Sequence, residues 1–250
     1  SKSVKEYIMH VVVFTGGQAP LPNDTVFYFA HTPKIDYIIA ADEGLDTLEA
    51  YQYFYGTTHN FRPDYILGDM DSLKDESLLK KYASVHTEIY NTEKDYTDTE
   101  LAIQKAESLG LNRRRGDMIT LIGGSRGLSD HFLGIYDMFS TDCHADVWLC
   151  GRQALCFLDE GYGLRVSHIR PDQRISIARP TSSYSDGKIY TEGLEWESPL
   201  FRKSGMPSIS NNISKEYYEK GKKLVFRVEK GRFIVFLPLS AYVEHVILPA

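Results

Sequence analysis

The sequence predicts an α/β N-terminal domain with a mainly parallel sheet over residues 1–143, followed by a C-terminal all-β sandwich domain over residues 144–250. Through the first 140 residues, short β-branched runs alternate with stretches whose apolar residues recur at helical spacing, the pattern of repeated strand-helix units. Beyond residue 144 the texture changes to short alternating runs divided by Gly, Pro, Asp and Ser turns, which read as antiparallel strands. Two acidic clusters, Gly68-Asp69-Met70-Asp71-Ser72 and Lys94-Asp95-Tyr96-Thr97-Asp98, stand where strands give way to loops. In an open α/β sheet that is the ligand-binding edge.

Residues 8–14 (IMHVVVF) form a buried strand that ends at Gly16-Gly17, a pair that reads either as a plain turn or as a phosphate-contacting loop. Residues 35–40 repeat the strand pattern. Leu45, Leu48, Tyr51 and Tyr55 then follow at helical spacing. A short strand at 64–67 is closed by the first acidic cluster. Helical spacing returns at 73–82, and a strand at 85–90 leads to the second cluster. Thr97-Asp98-Thr99-Glu100 is a capping box, in which the Thr hydroxyl accepts the third residue's N–H and Glu100 reaches back. The helix it opens runs to about residue 109 and stops at Gly110. A buried strand at 118–122 ends in Gly123-Gly124, and a helix follows over 129–140. The C-terminal strands are read from VWLC, ALCFLD, LRVSHI, RISIARP, KIYTEGLEW and KLVFRVEKGRFIVFL.

The charge of −6, from 28 basic and 34 acidic residues, leaves no basic face for a nucleic-acid backbone. Cys143, Cys150 and Cys156 lack zinc-ligand spacing and read as reduced thiols. The apolar run at 11–14 is too short for a membrane span or signal core, so a cytoplasmic protein without a membrane partner is expected.

Asp69 and Asp71 share one side of an extended segment, and Asp95 and Asp98 sit about one helical turn apart near a helix start. Carboxylates placed this way converge on a hard cation such as Mg²⁺, which takes oxygen ligands and leaves positions for phosphates. Each has a structural alternative, since Asp is also common at strand ends and helix starts. Lys94 reads as a phosphate contact or a solvated lysine, and Asp42 as a metal or nucleotide contact or a cap for the next helix. Gly123-Gly124-Ser125-Arg126-Gly127, leading into Ser129-Asp130-His131, is a glycine-rich turn whose amides and Arg126 suit triphosphate oxygens. His131 reads as a base or as a helix-start His hydrogen-bonded by Asp130.

The ordered set ADEG at 41–44, PDYILGDMDS at 63–72, KDYTDTELAI at 94–103, GGSRGLSDH at 123–131 and SISN at 208–211 resembles the thiamin pyrophosphokinase family. The resemblance implies transfer of a diphosphate from ATP to the hydroxyl of thiamin, giving thiamin diphosphate and AMP. It implies a homodimer whose active sites are shared between subunits. It implies metal-binding carboxylates at Asp69, Asp71 and Asp98, catalytic roles for Asp71, Asp98, Asp95 and Lys94, and nucleotide contacts from Asp42, Ser72, Lys94, Thr97, Arg126, Asp130 and His131. The thiamin pocket is implied at Trp196, Ser208, Ser210 and Asn211. An indole suits stacking on a pyrimidine, although a lone Trp in a β domain also serves as core. The chain departs from the family at Glu43 (for Gly in ADGG), at Leu128 (at the arginine position, with Arg126 two residues earlier) and at Ile135 (for Asn). Two other readings of the clusters are a DxD-type phosphohydrolase and a non-catalytic Mg-nucleotide-binding regulator.

Overall fold

A computed structural model describes residues 7–68, 76–90, 97–124, 129–180, 187–197 and 208–249. Its backbone is a ten-stranded mixed sheet. One half is parallel: β4 (His86–Ile89), β3 (Tyr65–Gly68), β2 (Tyr37–Ala41), β1 (His10–Phe14), β5 (Met118–Ile122) and β6 (Val147–Cys150), in that spatial order. The sheet then continues antiparallel through β7 (Gln153–Leu158), β13 (Phe233–Pro238), β9 (Ile175–Ala178) and the edge strand β11 (Ser208–Asn211). A second, four-stranded antiparallel sheet has the order β10 (Lys188–Glu192), β12 (Leu224–Lys230), β8 (Tyr162–Ser167), β14 (Tyr242–Ile247).

Alternate side chains of each strand point to opposite faces, so the large sheet separates two cores. Val12 and Phe14 lie on one face with Leu45, Leu48, Tyr51 and Tyr55 of α2 (Gly44–Tyr55). The same apolar layer continues into the second half, where Val235 and Leu237 join Leu164, Val166 and Phe226 of the smaller sheet. Val11 and Val13 face the other way. There they meet Ala102, Ile103 and Ala106 of α4 (Asp98–Glu107) and Ile135 and Met138 of α5 (Ser129–Met138). The remaining described helices are short: α1 (Val26–Ala30), α3 (Glu76–Lys81) and α6 (Lys215–Glu219).

The expected strands and helices are present in order, with boundaries moved by up to four residues, and β14 is an additional strand that was not expected. VWLC is the correction. Expected as an antiparallel strand, it is β6, which pairs parallel with β5 and antiparallel with β7. A four-residue apolar run carries no signal of partner direction. Its direction is set by α5, which returns the chain to the start of β5. β6 is therefore the junction at which the parallel half of the sheet becomes the antiparallel half. All three cysteines are free thiols, and burial pushes Cys156 up to about 12. Among the described residues no helix is long and apolar enough to cross a membrane.

Candidate active site

The carboxyl ends of the parallel strands share one edge, and the chain segments that leave it carry the predicted motifs. After β1, the Thr15 amide bonds the Ile122 carbonyl at 2.9 Å, and the Gly124 amide bonds the Gly16 carbonyl at 2.9 Å. The two glycine pairs are thereby stitched side by side. Gly123 has φ +117, and a side chain there would overlap the Thr15 carbonyl oxygen. Gly124 has φ +72 and abuts Ile135. Both positions need glycine for the close approach and the left-handed backbone. The buried Trp148 indole donates to the Gly123 carbonyl at 2.7 Å and so fixes the turn from below.

After β2, Asp42 takes φ +48, its amide bonds the Leu67 carbonyl at 2.9 Å, and its carbonyl accepts from Leu45 at 3.1 Å. Asp is one of the few residues that visit this region at modest cost. The N-cap of the following helix is Glu43, whose own side chain makes no cap bond. The chain departs from the family's ADGG at its first glycine and keeps the second. At Gly44 a side chain would overlap the Phe14 carbonyl and the Thr15 amide, whereas Glu43 is exposed. The glycine required for packing α2 onto the end of β1 is therefore the one retained.

Thr97 caps α4 as expected. Its hydroxyl accepts from the Glu100 amide at 3.2 Å, while the Glu100 carboxylate accepts from the Thr97 amide at 2.6 Å. Asp98, half-buried in the first turn, sits where the helix dipole favours negative charge. One turn face of this helix start is tied inward, because the Thr99 hydroxyl lies 2.5 Å from that of Thr15, both buried. This tether was not foreseen from sequence. Two threonines 84 positions apart give no local signal.

Asp69, Asp71, Ser72, Lys94, Asp95 and Arg126 lie outside the described residues, as does Leu128. The strand register still fixes where their segments depart: Asp69 follows the last residue of β3, and Thr97 opens α4. Asp130 and His131 are exposed at the start of α5. Asp130 accepts from the His131 backbone amide at 2.9 Å. Ile135, at the family's Asn position, is buried against Gly124.

The residues expected at a thiamin pocket form a separate group. Asn211 is 1% exposed, and its amide is spent on the backbone of Trp196, accepting from the Trp196 N–H at 3.2 Å and donating to the Trp196 carbonyl at 2.8 Å. It also donates to the Ser208 hydroxyl at 3.3 Å. Ser210 has φ +59, and its amide bonds the Ser176 hydroxyl at 3.2 Å. The Trp196 side chain is 55% exposed, which excludes a core role. β11 is the outermost strand of the large sheet, six strand steps from β1. At about 4.8 Å per step that is roughly 29 Å along the sheet.

Residues 31–146 match the family model described as thiamin pyrophosphokinase, catalytic domain. The fold is similar to solved thiamin pyrophosphokinases over almost the whole chain. That from Geobacillus thermodenitrificans aligns at TM-score 0.63 and 18% identity, covering 92% of this chain and 97% of that one. For Bacillus subtilis the values are 0.61, 18%, 92% and 98%, and for Candida albicans 0.62, 15%, 92% and 89%. No curated protein sequence gives a significant match. The family model ends before Trp196 and residues 208–211. Residues 31–146 of this chain are thus similar to the catalytic domain of thiamin pyrophosphokinases, and 92% of its length has a fold similar to that of those enzymes.

Proposed function

We propose that the protein transfers a diphosphate group from ATP to the hydroxyl of thiamin, giving thiamin diphosphate and AMP. The observation that carries this reading is the edge shared by β1, β2, β3 and β5, where the family match and the glycine cradle coincide. Backbone amides in the glycine turns supply donors without side chains in the way, the arrangement that suits phosphate oxygens. The described part of the site fits a magnesium nucleotide. It offers a cradle that any Cβ at Gly123 would fill and a carboxylate, Asp98, at a helix start facing the same edge.

In this reading Asp69, Asp71 and Asp98 hold the Mg²⁺, which when bound supplies charge neutralisation on the phosphates. Lys94, Asp95, Ser72 and Thr97 border the nucleotide, with Asp42, Asp130 and His131 on the neighbouring loops, and Arg126 takes the role absent at Leu128. Asp71 or Asp98 accepts the proton from the thiamin hydroxyl as that oxygen attacks the β-phosphorus in line and AMP leaves. Holding the two reactants in line accounts for most of the rate in such chemistry.

Trp196, Ser208, Ser210 and Asn211 bind thiamin in this proposal, with Trp196 presenting its ring and Asn211 holding the Trp196 backbone. The roughly 29 Å between β11 and β1 is too far for direct transfer within one chain. That separation favours a homodimer in which the β11 edge of one subunit completes the nucleotide edge of its partner. We propose two functional regions, a nucleotide-binding one at 1–143 and a thiamin-binding, dimer-forming one at 144–250, and a cytoplasmic location. Analysis of products with and without thiamin tests the assignment.

A further inference from the structure

Glu43 brings a carboxylate to the edge that carries the glycine turns, at a position where the ADGG pattern has glycine. It stands at the N-cap of α2, directly after Asp42, and is exposed. Because its side chain makes no cap bond, the helix end does not hold the carboxylate. The side chain instead leans over the turn that follows β1. A Cβ at Gly16 would lie 3.4 Å from Glu43 Cβ and 3.8 Å from Glu43 Oε2, with no other described residue beyond its chain neighbours within 4 Å. Unlike Gly123 and Gly124, Gly16 is not in the left-handed region, and a side chain there would make only ordinary contact. The fold therefore does not require glycine at residue 16. What the missing side chain leaves is an open strip of backbone beside a carboxylate.

The Gly16 carbonyl accepts from the Gly124 amide at 2.9 Å, so residue 43 borders both glycine turns. The Thr15 hydroxyl, 2.5 Å from that of Thr99, brings the start of α4 and Asp98 to the same turn. A polyphosphate held by the turn amides meets the Glu43 charge at close range. Free triphosphate carries two more negative charges than its complex with one divalent cation, so a neighbouring carboxylate repels it more strongly. A built-in repulsive group of this kind confers specificity by penalising the wrong ligand. On the nucleotide reading of this edge, we propose that Glu43 is a specificity-determining residue whose charge favours polyphosphate complexed with a divalent cation over the uncomplexed form.

Calorimetric titration of the full chain with ATP, once with Mg²⁺ in excess and once with EDTA, measures the preference for the complexed form. Glu43→Gln removes the charge and keeps the shape, and in about 10 mM salt it should strengthen binding of metal-free ATP about fivefold more than that of Mg-ATP. In about 0.5 M salt that gap should shrink to less than about twofold, which loss of a purely structural role would not produce. Glu43→Asp keeps the charge and should hold the wild-type preference within about twofold. Equal preferences in the wild type and Glu43→Gln at low salt would overturn the proposal. So would a preference changed only through weaker binding of Mg-ATP, which would make Glu43 a metal ligand instead. Failure of the wild type to bind Mg-ATP at all would defeat the nucleotide reading itself, and the proposal with it.

Discussion

The hydroxyls of Thr15 and Thr99 meet at 2.5 Å in the buried layer between β1 and α4. This contact joins the glycine turn that follows β1 to the helix start that carries Asp98. Two pieces of the candidate nucleotide edge, far apart in sequence, are thereby tied together. Replacing Thr99 with Val keeps the shape and leaves the Thr15 hydroxyl buried without that partner, a change that costs about 1–3 kcal/mol. Urea unfolding should show this loss. In the proposed enzyme the variant should also need more Mg²⁺ for half-maximal activity, with Thr99→Ser restoring it. A Mg²⁺ requirement equal to wild type would remove the tether from the site.

Asn211 is a positioning residue for Trp196, since its amide makes both bonds to the Trp196 backbone. Asn211→Ala should destabilise the chain by about 1 kcal/mol, because it removes two part-buried hydrogen bonds to the Trp196 backbone. It should raise the KM for thiamin while leaving that for ATP near its original value. Equal changes in both constants would indicate a general disturbance of the fold.

Glu88 on β4 is held down to about 2 by the hydrogen bond from Lys105 of α4 at 2.7 Å, with the Tyr90 hydroxyl at 2.6 Å assisting. A carboxylate with a depressed folded-state pKa gives stability that is present above its ordinary value of 4.5 and is lost as pH falls towards about 2. The urea midpoint of the wild type should therefore drop through that window. Glu88→Gln should flatten this part of the profile, most clearly at low salt. Parallel profiles for the two proteins would assign the acid sensitivity to other groups.

A shared site makes two inactive variants complementary. Asp71→Asn disables the nucleotide edge and Ser210→Tyr the β11 edge. Random exchange of subunits leaves half the dimers mixed, each with one intact site of two, so about a quarter of wild-type activity should return. No recovery after exchange confirmed by mass spectrometry would place both halves of each site in one subunit.

The parallel half of the fold was legible because its signals are local. The apolar spacing of Leu45, Leu48, Tyr51 and Tyr55 marks one face of α2, all four being buried, and the Thr97 to Glu100 box forms as read. Relationships that depend on pairing across the chain were not legible. β6 turns out parallel to β5, and β9, β11 and β13 extend the same sheet rather than a detached one. His10 looked like part of a plain apolar strand. It is buried with Nε2 2.8 Å from the Thr120 hydroxyl, and desolvation pushes it down to about 4. At the site, the motifs marked which edge binds, but not that Gly44 rather than residue 43 is the glycine required for packing, nor that Trp148 supports the Gly123 turn.

The central claim is the transfer itself, and the direct measurement is the product set from ATP and Mg²⁺ with and without thiamin. AMP and thiamin diphosphate should appear in equal amounts, only when thiamin is present, and Asp71→Asn should retain the fold while losing most of that turnover. Release of inorganic phosphate without thiamin would instead support a phosphohydrolase. Tight ATP binding with no product under either condition would support a nucleotide-binding regulator, and either result would contradict the assignment.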